Sequence, residues 1–144
     1  MILFRSVVFF HLIILYNLTF EESLQLIKMN HIDSNELFFF KCGMGYLNKF
    51  FDINNITSTH HRNFRSGFGV SPRVCSVVWN AMDTEYHQLS REHLLWALHF
   101  LKVYSNETNL SATLRTNEKT FRDKVFKVID SISDKSEDIV SLKR

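Results

Sequence analysis

The spacing of apolar residues becomes more regular toward the C-terminal half of the chain. After an acidic start, Glu21 to Met29 places Leu24, Leu26, Ile27 and Met29 as a short helix would. Glu36 to Phe51 is a second apolar stretch, with Leu37 to Phe40 followed by Tyr46, Leu47, Phe50 and Phe51. Asp52 to Arg73 then breaks the pattern: Asn54-Asn55, Ser58, Ser66, Gly67 and Gly69 predict an irregular connector. Ser71-Pro72, a cap followed by a first-turn proline, opens a helix whose stripe is Val74, Cys75, Val78, Trp79 and Met82. Ser90 is expected to cap the next helix, which carries Leu94, Leu95, Ala97, Leu98, Leu101 and Tyr104. With Trp96 and Phe100 added, that helix is apolar nearly all round and is predicted to be the central, most buried one. Asn106 or Ser105 caps a short helix through Leu110 and Leu114, and Arg115, Thr116 and Asn117 form a break with Asn117 as the next cap. The last helix runs from Glu118 to about Ile132 and buries Phe121, Val125, Val128 and Ile129, with Phe126 flanking.

Composition agrees with an all-α chain. Four glycines and one proline in 144 residues are too few for a turn-rich sandwich or barrel, while 45% hydrophobic residues and fourteen phenylalanines suffice for a core. The expected architecture is a small helical bundle ending in a helix-turn-helix. Residues 1–35 form a hydrophobic or irregular extension, residues 36–132 the helical domain with the helix-turn-helix at about 106–132, and residues 133–144 a frayed tail. Met1 to Phe20 is mostly apolar, but His11 and Asn17 interrupt it, it is short for a transmembrane span, and no small-residue cleavage pattern follows Leu15. With the sequons at Asn17, Asn55, Asn106 and Asn109, it keeps open the alternative of a secreted or membrane-anchored helical protein. A membrane partner is not the expectation. Cys42 and Cys75 stand far apart with no C-x-x-C, and are expected as buried free thiols.

Neither metal ligands nor a catalytic signature stand out. Seven histidines are scattered without an H-E-x-x-H, there is no G-x-S-x-G, and Gly43-x-Gly45 and Gly67-x-Gly69 lack the rest of a phosphate-binding fingerprint. No cofactor is expected. Net charge is only +2, yet Lys41 to Arg73 carries five cations against Asp52, and Arg115 to Lys127 five against two acids. Such local basic segments can contact phosphates on a nearly neutral chain.

A short helix, a tight break and a longer helix with basic and hydroxyl residues at its front is the helix-turn-helix order. On that reading Asn117, Lys119, Thr120 and Arg122 project from the first turns of a recognition helix, with Lys124 and Lys127 further along near the DNA backbone. The same residues also fit an ordinary solvated helix face. His60 to Arg65 interleaves basic and aromatic residues, so Arg62 and Arg65 are a second candidate for phosphate contact. The alternative there is a surface loop pinned to the core by its phenylalanines.

Four blocks occur in order: Phe68-Gly69-Val70-Ser71-Pro72; Trp79-Asn80; His93-Leu94-Leu95-Trp96-Ala97-Leu98-His99-Phe100-Leu101-Lys102-Val103-Tyr104; and Glu118-Lys119-Thr120-Phe121-Arg122. Over about Phe40 to Arg144 this series resembles the N-terminal region of Harbinger-like DDE transposases. The resemblance implies a helical, helix-turn-helix-type DNA-binding part that precedes an RNase H-like nuclease domain. Ile139 to Leu142 is similar to the stretch just before that domain, so the chain is expected to be truncated ahead of it and to have no nuclease activity of its own. Double-stranded DNA at transposon ends is the implied partner, with a second copy or a partner transposase chain beside it, and the nucleus is the implied location. The chain departs from the family at Arg115, where a turn glycine is usual, at Arg91, where a proline is, and at Lys124 and Phe126, where tryptophans are frequent.

Overall fold

A computed structural model describes residues 33–135 except 83, 86 and 104. Among these residues there are six helices and no strand: α1 (Ser34–Tyr46), α2 (Ser58–Phe68), α3 (Pro72–Ala81), α4 (Arg91–Val103), α5 (Glu107–Thr113) and α6 (Glu118–Asp134). The helix expected at Glu21 to Met29 and the apolar stretch Met1 to Phe20 lie outside the described residues, as do residues 136–144 of the expected tail. Ser133 and Asp134, assigned to that tail, continue α6.

α4 is the central helix, as its apolar circumference predicts. Leu94, Leu95, Ala97, Leu98 and Leu101 are buried, and α1, α2, α3 and α6 all pack on it. Its faces divide the neighbours. Trp96 and Phe100 meet Phe121 of α6, with ring centroids 6.3 and 6.1 Å apart. His99 on another face meets Phe68 of α2 at 5.7 Å, and its Nδ1 lies 2.8 Å from the Gly67 carbonyl oxygen. The Trp96 indole N–H donates to the Tyr46 hydroxyl of α1 at 3.1 Å, which satisfies a polar atom on a largely buried side chain.

Polar contacts fix the far end of the bundle. The Asp33 carboxylate caps α1 by accepting from the Glu36 N–H at 2.7 Å and also accepts from the Ser76 hydroxyl of α3 at 3.1 Å. Arg73 of α3 pairs with the buried Glu36 at 3.4 Å. Arg91 lies 3.7 Å above the centre of the Phe38 ring and donates to Asn35 Oδ1 at 3.0 Å. At this position a cation–π contact and a hydrogen bond join α4 to α1.

Half of the connector expected over Asp52 to Arg73 is a helix, α2, which corrects the sequence reading. Thr57 accepts from the His60 N–H, and the His60 ring accepts in return from the Thr57 N–H at 3.0 Å, a reciprocal capping box that starts α2. Phe64 and Phe68, one turn apart, are fully buried against α1, with Phe40 and Phe64 stacked at 5.8 Å. Gly67, counted as a turn residue from sequence, is buried inside the helix facing Leu47. Gly69 is the true terminator, left-handed at φ 82°, with its N–H on the Arg65 carbonyl at 2.7 Å. Tertiary burial of two phenylalanines outweighs the weak helix propensity of Ser, Thr, Asn and Gly here.

The α4 start also differs from expectation. The His93 Nδ1 accepts from the Ser90 N–H at 2.9 Å, so the ring three residues on closes this end where a Ser90 side-chain cap was expected. The other caps are as read: Ser71 with Pro72 for α3, Asn106 for α5 and Asn117 for α6.

Candidate nucleic-acid interface

The C-terminal pair is built from its caps and its buried stripe. Asn106 Oδ1 accepts from the Asn109 N–H and Asn117 Oδ1 from the Thr120 N–H, both at 2.8 Å, so each helix has a side chain on its first-turn donors. α5 ends in a Schellman turn: the Thr116 N–H reaches the Ser111 carbonyl at 2.9 Å and the Arg115 N–H the Ala112 carbonyl at 3.2 Å. That closure requires a left-handed residue, and Arg115 occupies it at φ 58° with its side chain exposed. Phe121, Val125, Val128, Ile129 and Ile132 bury one face of α6, and Leu110 and Leu114 bury α5 beside it.

The register of that stripe decides where each candidate side chain goes. Lys119 and Arg122 flank Phe121 and are exposed, at the front of α6. Asn117 is also exposed, but its side-chain oxygen is committed to the cap. Thr120 is half-buried. Arg122 does not stand alone: its Nε and Nη2 lie 2.7 and 2.6 Å from Glu107 Oε2 of α5, and Nη2 lies 3.9 Å from Glu118. Glu118 in turn accepts from the Thr108 hydroxyl at 3.2 Å, so two side-chain bridges tie α5 to α6. Lys127 pairs with Asp123 at 3.2 Å across one helical turn. Lys124 donates to the Gln88 carbonyl, ahead of α4, at 3.2 Å. Among the described residues Lys119 is within ion-pair distance of no carboxylate.

His93 sits beside this end of the interface. Burial, and after it the nearby Lys124 ammonium, push its imidazole down to about 4 from the ordinary 6.5, against a smaller upward pull from Asp123. The ring is therefore neutral at pH 7 and keeps its Nδ1 as the acceptor for the Ser90 N–H. Glu107 and Gln88 had no part in the sequence reading of the interface. Their roles depend on the α5–α6 approach and on the loop before α4.

The second basic candidate lies on another face. Arg62 is exposed and Arg65 half-buried on α2, which meets α4 through His99, while α6 meets it through Trp96 and Phe100. The phenylalanine anchoring expected for this segment is present, in a helix where a loop was expected. Among the described residues no group of three His, Cys, Asp or Glu side chains converges as a metal site. Cys42 is half-buried and Cys75 fully buried, both free, and burial pushes both thiols up from the ordinary range.

No family model, curated protein or solved structure matches the chain.

Proposed function

We propose that this chain is a DNA-binding helical module of transposase origin, which reads duplex DNA with the front of α6 and carries no strand-cleaving activity in the helices described. The single observation that supports it most is the register of the C-terminal pair. A seven-residue helix, a four-residue turn and a seventeen-residue helix are pinned by buried Phe121, Val125 and Val128, and this turns Lys119 and Arg122 outward together. Arg at such a position suits the acceptor pair on guanine, and Lys suits a phosphate. The resemblance adds weight because its blocks fall on structural units. Phe68 to Pro72 is the α2–α3 junction, His93 to Val103 is the body of α4, and Glu118 to Arg122 is the first turns of α6.

The test is a salt-titrated binding assay on transposon-end duplexes, on duplexes selected from a randomised pool and on unrelated DNA. The expected result is affinity for DNA that falls with salt, log K declining by about 0.9 per phosphate contacted, and a preferred duplex bound more tightly than its scramble. Absence of binding to every duplex at about 50 mM salt refutes the reading. The proposed location is the nucleus. Among the described residues no helix is long and apolar enough to cross a membrane. A tagged chain that gains glycan mass in cells would favour the secretory alternative.

A further inference from the structure

Among the described residues the Glu107–Arg122 pair is the one α6 cation contact that crosses between helices: Lys127 pairs within α6, and Lys124 meets the Gln88 carbonyl ahead of α4. Its geometry is specific. One carboxylate oxygen, Oε2, takes both Nε and Nη2 of Arg122, at 2.7 and 2.6 Å, while nothing among the described residues engages Nη1. The guanidinium thus has its Nε–Nη2 edge held by the protein and its Nη1 unengaged among the described residues, on a side chain that is 57% exposed. A long side chain in solvent loses much rotamer freedom when it binds, about 2 kcal/mol of it for Arg. A carboxylate that already fixes the fork removes part of that loss for a rigid planar acceptor pair such as the O6 and N7 of guanine.

Glu107 brings a second effect through its charge. Together with Glu118 it sets two negative charges against the two positive charges of Lys119 and Arg122 at the front of α6. Glu107 so offsets the attraction of that surface for phosphates of any sequence, whereas a correctly placed guanine edge still finds an oriented donor pair. We infer that Glu107 is a positioning residue that sets sequence discrimination: it orients Arg122 for base readout and lowers affinity for DNA in general. The inference rests on the DNA-binding reading above.

Glu107→Gln tests it because the amide keeps the size of the side chain and removes the charge. Binding of wild type, E107Q, R122A and the E107Q/R122A double variant is measured on the best duplex selected from a randomised pool and on its scramble, with helix content checked by circular dichroism. The expected result for E107Q is tighter binding to the scramble and a preferred-to-scrambled ratio reduced about tenfold, roughly the worth of one bidentate base contact. In the R122A background the same change should leave the ratio unmoved, which a merely structural role for Glu107 would not produce. R122K, which keeps the charge and loses the fork, should reduce the ratio as E107Q does. A wild type that discriminates together with an E107Q chain that discriminates equally overturns this inference alone. A wild type that binds no duplex overturns the DNA reading, and this inference with it.

Discussion

Arg115→Gly is expected to stabilise the protein. Arg115 is left-handed at φ 58° because the α5 terminus needs that conformation to bring the Thr116 N–H onto Ser111. For an L-residue the clash of Cβ with the carbonyl oxygen in this region costs about 1–2 kcal/mol, and glycine has no such clash. Glycine also gains freedom in the unfolded chain, which offsets about 0.4–1 kcal/mol. The Arg115 side chain is exposed and makes no hydrogen bond or ion pair among the described residues, so a net gain of about 0.5–1 kcal/mol remains. Thermal unfolding followed by circular dichroism should show a rise of about 2–5 °C for a chain of this size. Two companions calibrate the result. Arg115→Ala keeps Cβ and should be near neutral, and Asn48→Gly, at φ 54° in the turn after α1, should gain less because Asn tolerates this region better. If Arg115→Gly is no more stable than Arg115→Ala, the turn stores no such cost and the reasoning fails. If it is less stable, the guanidinium holds a contact that outweighs the backbone term.

Other expectations follow from the core and from His93. Leu98→Ala, at 1% exposure in the central helix, should cost about 2–5 kcal/mol in urea unfolding, and a loss under about 1 kcal/mol would remove α4 from the core. Gly43→Ala should destabilise by about 1–3 kcal/mol through overpacking, since a Cβ there meets the ring of buried Phe64 and stands 2.8 Å from Phe68 Cε2. Because the folded His93 titrates at about 4, below its ordinary 6.5, protonation favours the unfolded chain. Its contribution is whole above pH 6.5 and is lost as the pH falls from there toward 4. His93→Gln keeps an acceptor three residues into α4 and cannot titrate, so its stability should fall less over that window in parallel melts; an unchanged pH profile would refute the assignment.

The sequence alone determined α3, α4 and α6 because each has a buried stripe at helical spacing, with a cap of ordinary chemistry at α3 and α6. Val74, Cys75 and Val78 follow Ser71-Pro72, and Phe121, Val125 and Val128 follow Asn117. Local propensity and long-range packing agree there, so the local pattern was enough. The break at Arg115 to Asn117 was also legible, but the left-handed φ of 58° at Arg115 came only from the structure. α2 was not legible, because Ser58, Asn63, Ser66, Gly67 and Gly69 weigh against a helix locally. The opposing terms are the burial of Phe64 and Phe68 against α1 and α4 and the His60 capping box. The pattern Thr57-x-x-His60, repeated as Ser90-x-x-His93, was visible in the chain, but an imidazole in the place of Glu or Gln becomes a capping acceptor only in the right tautomer and rotamer.

For the interface, the buried stripe of α6 was enough to say that Lys119 and Arg122 face away from the core. Only the tertiary structure decided what each cation meets there. Lys124 finds a carbonyl thirty-six positions away, and Arg122 finds Glu107, fifteen residues back on another helix. A helical period states the direction of a side chain from its own axis. Which carboxylate lies within 3 Å of it depends on how two axes approach, and that is set by the summed packing of Leu110, Leu114 and Phe121 against α4 and its neighbours.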